Sequence, residues 1–69
     1  MTLNEYEKLK QGDILEREDS EPVELITPGA GDGWWVYHLE YDPETESYRQ
    51  VGTMALLTMR ELMKREVRN

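Results

Sequence analysis

Two aromatic, β-prone runs flank the segment DPETES at residues 42–47, and this arrangement predicts a long β-hairpin. An Asp-Pro pair commonly initiates a turn. A six-residue loop pairs Tyr41 with Tyr48, so facing residues on the two strands have numbers that add to 89. The same register places Glu40 opposite Arg49, an opposite-charge pair of the kind that stabilises antiparallel strands.

Trp34 and Trp35 are adjacent, so in this hairpin they are predicted to point to opposite faces. The face predicted to form the core is the more apolar one, which carries Trp35, Tyr37, Leu39, Tyr41, Tyr48 and Met54. The other face is mixed and carries Trp34, Val36, His38 and Val51. Trp34 then needs a cover, which is either a helix, terminus or loop of this chain or the surface of another protein.

Short elements are predicted on either side of the hairpin. In chain order they are a helix over residues 3–10, strands over 13–18 and 22–27, a glycine-rich loop over 28–33, a strand continuation over 54–57 and a basic helix over 59–67. Thr2 with Glu5, and Thr58 with Glu61, have the spacing of the capping box that marks a helix start. The glycine-rich loop lacks the Gly-Lys-Ser/Thr of a phosphate-binding P-loop, so no nucleotide site is expected there.

The segment LNEYEKLKQGDIL resembles the start of many small bacterial and phage proteins with an SH3-like barrel. The similarity consists of a short amphipathic turn and the residues Leu9, Lys10, Gly12, Asp13 and Ile14, which lead into the first strand. It implies a single, mainly β domain over residues 1–69, a small antiparallel SH3-like barrel or meander with a C-terminal helix. The alternative is an α+β fold, with that helix packed on a three- to four-stranded antiparallel sheet, because the chain is predicted to end in a helix rather than a strand.

Composition argues against several chemistries. The chain has 69 residues, no cysteine and one histidine, which excludes disulfides and thiolate metal sites, and no cofactor or metal is expected. His38 has no nucleophile with a placed partner, and so short a chain can hardly enclose a pocket of about 300 Å3, so no enzyme is expected. No run approaches the ~20 apolar residues of a membrane span, and no signal peptide is recognised, so a cytoplasmic location is expected.

The net charge is −7 and is unevenly distributed, with −10 over residues 1–46 and +3 over residues 47–69. An acidic body repels phosphate backbones, so nucleic-acid binding is disfavoured even though the last helix is basic. The acidic excess either only keeps the chain soluble or attracts a partner with a basic surface.

These features predict a small acidic protein-interaction module, encoded by a phage, that docks on a host or partner protein. The residues predicted to contact the partner are Trp34, Val36, His38, Tyr41, Val51, Met59, Arg60 and Lys64. The first alternative is a structural subunit that forms a homo-oligomer through the hairpin edge or the methionine-bearing helix. A DNA mimic or a nucleic-acid-binding protein is a further, less favoured alternative.

Overall fold

The computed structural model describes residues 1–68, which form one antiparallel sheet with short helices at its ends. The elements are α1 (Leu3–Glu7), β1 (Ile14–Arg17), β2 (Ser20–Pro28), a 3-10 turn (Ala30–Asp32), β3 (Trp34–Asp42), β4 (Ser47–Leu57), α2 (Met59–Leu62) and β5 (Glu66–Val67). The β1, β2 and hairpin strands therefore lie where they were predicted, with β2 longer at both ends and residues 54–57 continuing β4.

The sheet has five strands in the order β4-β3-β2-β1-β5. Strands β1 to β4 form a meander, and β5 returns to pair with β1. Over residues 1–68, β4 and β5 lie at opposite edges and do not pair, so the sheet is not closed into a barrel. The mainly β class is confirmed, and the sheet is larger than the three- or four-stranded sheet of the α+β alternative.

Both predicted capping boxes are confirmed. The Thr2 hydroxyl accepts a hydrogen bond from the Glu5 amide at 3.2 Å, and the Glu5 carboxylate accepts one from the Thr2 amide at 2.8 Å. The hydrogen bond that the Thr2 amide donates, and after it the interaction with the Thr2 side chain, lowers the pKa of the Glu5 carboxyl. Thr58 and Glu61 make the equivalent pair of bonds at the start of α2.

The predicted helix over 59–67 is wrong in its second half, because α2 ends at Leu62 and residues 66–67 form β5. Val67 pairs with Leu15, which gives the free edge of β1 a partner. A helix of nine residues is marginal by itself, so strand pairing along an open edge outweighs the local helical preference.

The core lies on the inner face of the sheet, between the strands and α2. Its fully buried side chains are Leu15, Val23, Leu25, Val36 and Leu62, and Tyr6 beside them is also buried. Val23 faces His38 and Leu25 faces Val36 across the β2–β3 ladder, so the apolar residues of β2 lie on the Val36 side of β3. The prediction that the Trp35 face forms the core is therefore wrong, although Leu39 on that face is also buried.

The predicted hairpin register is confirmed from the Asp42–Ser47 pair to the His38–Val51 pair. Beyond it the register shifts, and Trp35 faces Leu56 instead of Met54. Two extra residues of β4 form an irregularity there, and Gly52 adopts a φ of 73°, a left-handed conformation that suits glycine. Because the shift is by two residues, every side chain past it keeps its face of the sheet.

Candidate interaction surface

Four large apolar side chains are exposed on the outer face of the β3–β4 hairpin. They are Trp35, Tyr41, Met54 and Leu56, which are 37%, 49%, 43% and 40% exposed, and we call them the hairpin face. Alternation along β3 and β4 places all four on the side opposite the core. Single exposed apolar residues are normal on a monomer, but a group of them on one face is a candidate surface for another molecule.

Trp35 and Leu56 are directly opposite each other and form the part of the hairpin face at the open end of the hairpin. Gly29 lies beneath them, because a Cβ atom built on Gly29 would meet the end of the Leu56 side chain and approach the Trp35 indole to 3.4 Å. The absence of a side chain at Gly29 lets the indole and the leucine lie close against the loop that connects β2 to β3.

Tyr41 lies at the far end of the hairpin, where its ring packs on Tyr48 edge to face with 5.3 Å between ring centroids. The Arg68 guanidinium covers the Tyr48 ring at 4.4 Å from its centroid and lies 3.4 Å from a Glu16 carboxylate oxygen. These contacts half-bury Tyr48 and leave Tyr41 as the more exposed ring of the pair.

Strand β4 supplies the hairpin face with an open backbone edge. It runs over eleven residues, Ser47–Leu57, and over residues 1–68 it pairs only with β3. An edge strand presents unpaired N–H and C=O groups to which an extended segment of another chain can add. Apolar side chains and an open edge therefore occur together on β4.

The surface around the hairpin face is acidic. The hairpin loop carries Asp42, Glu44 and Glu46, and Asp42 shapes it by accepting a hydrogen bond from the Glu44 amide at 2.9 Å. A groove of about 750 Å3 passes beside Tyr48, and acidic residues outnumber basic ones in its lining, with Glu16, Glu18, Asp19 and Glu66 against Arg17 and Lys64. The hairpin face and this acidic groove meet at the Tyr41–Tyr48 pair.

Three of the residues predicted to contact a partner pack in or against the chain's own core. Val36 is fully buried, and Trp34 and Met59 pack against the core cluster. The expected exposed patch at Val36 is therefore wrong, because the β2 side chains and α2 cover that side of β3. Trp34 is therefore covered by the chain's own core and not left for another protein to cover.

The other predicted contact residues are dispersed over the molecule. His38 and Val51 face each other on the inner side and are half-buried, whereas Tyr41 is exposed on the outer side. Arg60 and Lys64 are exposed near α2. The structure thus does not bring the eight residues into one surface, and of them only Tyr41 belongs to the hairpin face.

Sequence reasoning assigned Trp35 and Met54 to the core and did not single out Leu56. A signal for the correct face was present in β2, where Glu24 separates Val23 from Leu25. Glu24 faces Tyr37 across the ladder, and its carboxylate accepts a hydrogen bond from Gln50 at 3.0 Å. The charged residue of β2 therefore identifies the Tyr37 side as outer, once the β2–β3 register is known.

A second cleft, of about 410 Å3, lies between α1 and the glycine-rich loop, beside Tyr6, Leu9 and Trp34. The Tyr6 hydroxyl donates a hydrogen bond to the Asp32 backbone carbonyl at its edge. Burial, and after it the charge of Asp32, raises the pKa of the Tyr6 hydroxyl.

Tyr6→Phe is expected to destabilise the protein by about 0.5–1.5 kcal/mol at neutral pH, because the hydrogen bond to the loop is lost. Since the folded state resists ionisation of Tyr6, the wild type should also lose stability as the pH rises from about 10, the ordinary tyrosine value, through the raised pKa. Urea unfolding at neutral and alkaline pH measures both effects. The alkaline loss should be smaller in Tyr6→Phe, while the exposed control Tyr41→Phe should keep it; equal losses in all three proteins would contradict the assignment.

Over residues 1–68, no group of three or more His, Asp or Glu side chains is arranged to hold a metal ion. None of the helices in that range is long and apolar enough to cross a membrane. Comparisons with protein-family models, curated proteins and solved structures find no match to this chain.

Proposed function

We propose that this protein is a small, non-catalytic interaction module that docks on a partner protein through the hairpin face. The observation that carries the proposal is the exposed Trp35–Leu56 pair beside the open edge of β4. Tryptophan is among the residues that most often dominate binding energy at protein interfaces. An edge strand adds backbone hydrogen bonds to that apolar contact.

The partner is a protein whose binding surface combines an apolar strip with lysine or arginine side chains. The apolar strip covers Trp35, Met54 and Leu56, and the basic side chains enter the acidic groove beside Tyr48. The net charge of −7 attracts such a surface over a distance of about one Debye length, so association should slow as salt is added.

We also propose that the fold is an open relative of the SH3-like barrels that the first third of the chain resembles, which would agree with a phage or bacterial origin. The meander and the final strand β5 support this, because the predicted lack of a final strand was one of two departures from that resemblance, the other being the long hairpin.

Trp35→Ala is expected to weaken binding to the partner by 2 kcal/mol or more, or about thirtyfold, while the fold is kept. The measurement is affinity capture with the wild type, Trp35→Ala and Leu3→Ala, followed by titration of the captured protein. Leu3 is the control because it is equally apolar and 54% exposed, but lies on α1 outside the hairpin face. A captured protein that binds Trp35→Ala as tightly as the wild type would contradict the proposal.

The open edge of β4 also supports a second function, the self-associating structural subunit, in which a second copy covers the hairpin face. Sedimentation equilibrium separates the two functions. A wild-type dimer that becomes a monomer in Trp35→Ala would replace the docking proposal with self-association, whereas a wild-type monomer is the result expected for a docking module.

A further inference from the structure

A small cleft next to the acidic groove is lined by three cationic side chains, those of Arg17, Lys64 and Arg65. It lies between the β1–β2 turn and the connection from α2 to β5 and has a volume of about 260 Å3. Its polar lining residues are Arg17, Ser20, His38, Glu61, Lys64 and Arg65. We call it the basic cleft.

Arg65 is the anchor of the basic cleft. It is the one buried residue with a charged side chain among residues 1–68, and it is 8% exposed. The Arg65 Nη1 donates a hydrogen bond to the Glu21 backbone carbonyl at 2.8 Å, which holds the guanidinium in place. A guanidinium has five N–H donors, and no other Arg65 hydrogen bond forms within residues 1–68. The other Arg65 nitrogens are accessible from the cleft. Every fully buried side-chain nitrogen in residues 1–68 has a hydrogen-bond partner, so a nitrogen without one is at least partly exposed.

Arg65 also has no counter-ion in the described part of the chain, where no carboxylate oxygen lies within 4.0 Å of it. Burial, and after it the like charge of Arg17, lowers the pKa of the Arg65 guanidinium, and the more distant carboxylates of Asp19 and Glu61 offset this only in part. A buried cation that lacks an ion pair is costly, and an anion brought to it forms strong charge-assisted hydrogen bonds.

The neighbouring charges leave the cleft positive. Arg17 is paired with Asp19 at 2.7 Å, and Glu61 is held by the Thr58 cap at the start of α2. Lys64 is exposed and forms no ion pair with residues 1–68. The positive charge of the cleft is local, because the chain as a whole has a net charge of −7 and repels anions at long range.

We propose that the basic cleft binds the phosphate group of a phosphate monoester. A phosphate offers several strong acceptor oxygens, which match the free Arg65 donors, the Lys64 ammonium and the Ser20 hydroxyl that line the cleft. At about 260 Å3 the cleft holds one such group, while the rest of the ligand lies outside. None of the residues that line the basic cleft belongs to the hairpin face, although Arg17, Ser20 and Lys64 also line the acidic groove. Phosphate binding at the cleft does not require docking on a partner.

The test is a titration with inorganic phosphate at constant ionic strength, followed by amide chemical shifts. Saturable shifts are expected at Ser20, Lys64 and Arg65 in the wild type. Lys64→Gln and Ser20→Ala should each weaken phosphate binding about tenfold, the effect of losing one hydrogen bond to a charged group. These exposed residues are used because removing the buried Arg65 side chain threatens the fold.

Arg60→Gln is the matched control, since it removes the same charge from α2 but Arg60 does not line the cleft. Equal weakening by Arg60→Gln and Lys64→Gln would overturn the proposal by showing diffuse attraction, and so would the absence of saturable shifts with the wild type. Phenyl phosphate should bind at least as tightly as inorganic phosphate. Acetate that bound equally well would overturn the assignment to phosphate.

Discussion

Leu25→Ala is expected to remove a large part of the protein's stability, so that the variant unfolds at a much lower urea concentration than the wild type. Leu25 is fully buried, faces Val36 at the centre of the sheet and lies in the single core cluster. Truncating such a leucine costs about 2–5 kcal/mol through lost burial and the cavity left behind. A domain of 69 residues has a total stability of only about 3–10 kcal/mol, so this one substitution removes much of it.

The measurement is urea unfolding followed by tryptophan fluorescence and far-ultraviolet circular dichroism. Leu56→Ala is the matched control, because Leu56 is also a strand leucine but is 40% exposed on the hairpin face. It should change the free energy of unfolding by less than about 1 kcal/mol. If Leu56→Ala were the more damaging variant, the Trp35 face would be the core after all, and the hairpin face would not exist as a free surface.

Gly33→Ala should be the second severely destabilising substitution. Gly33 is buried just before β3 with ordinary extended φ and ψ angles, so its backbone conformation does not require glycine. The requirement comes from close packing, because a Cβ atom at Gly33 would collide with the backbone carbonyl oxygen of Leu57. A backbone atom held in the β3–β4 ladder cannot yield as a flexible side chain would, and overpacking of this kind costs about 1–3 kcal/mol or more.

Gly31→Ala in the same loop tests this explanation. Gly31 has a φ of 64°, and no atom lies within 4 Å of the position that a Cβ atom would take there. The alanine substitution should therefore lower the free energy of unfolding only through the left-handed backbone conformation, by about 1 kcal/mol. Denaturation midpoints should therefore fall more for Gly33→Ala than for Gly31→Ala. The reverse order would mean that loop conformation, not the contact with Leu57, sets the need for glycine.

The parts of the fold that were predicted correctly depend on interactions close in sequence. The two capping boxes each join residues three apart, and the outer hairpin pairs, such as Tyr41 with Tyr48, are set by the loop between them. The face of the hairpin that is buried in the core was predicted incorrectly. Opposite orientation of Trp34 and Trp35 follows from local alternation, but which of them is covered depends on the strand that pairs with β3.

The C-terminal segment shows the same division. Thr58 and Glu61 correctly marked the start of α2, but its early end depends on β1, about fifty residues away in the chain, whose open edge takes Val67 as a partner. Arg65 was read as one of several exposed bases of a helix, and its burial could not be seen from periodicity because that helix ends before it.

From the sequence alone came the mainly β class, the positions of the helix starts and the register of the outer hairpin, because alternation, capping and turn chemistry act over a few residues. Only the tertiary structure decided which face of the hairpin is buried, where its register shifts and that the chain ends on β5. Those outcomes depend on pairing between segments that are distant in the sequence. The pattern of residues within one strand does not specify which other segment will cover it.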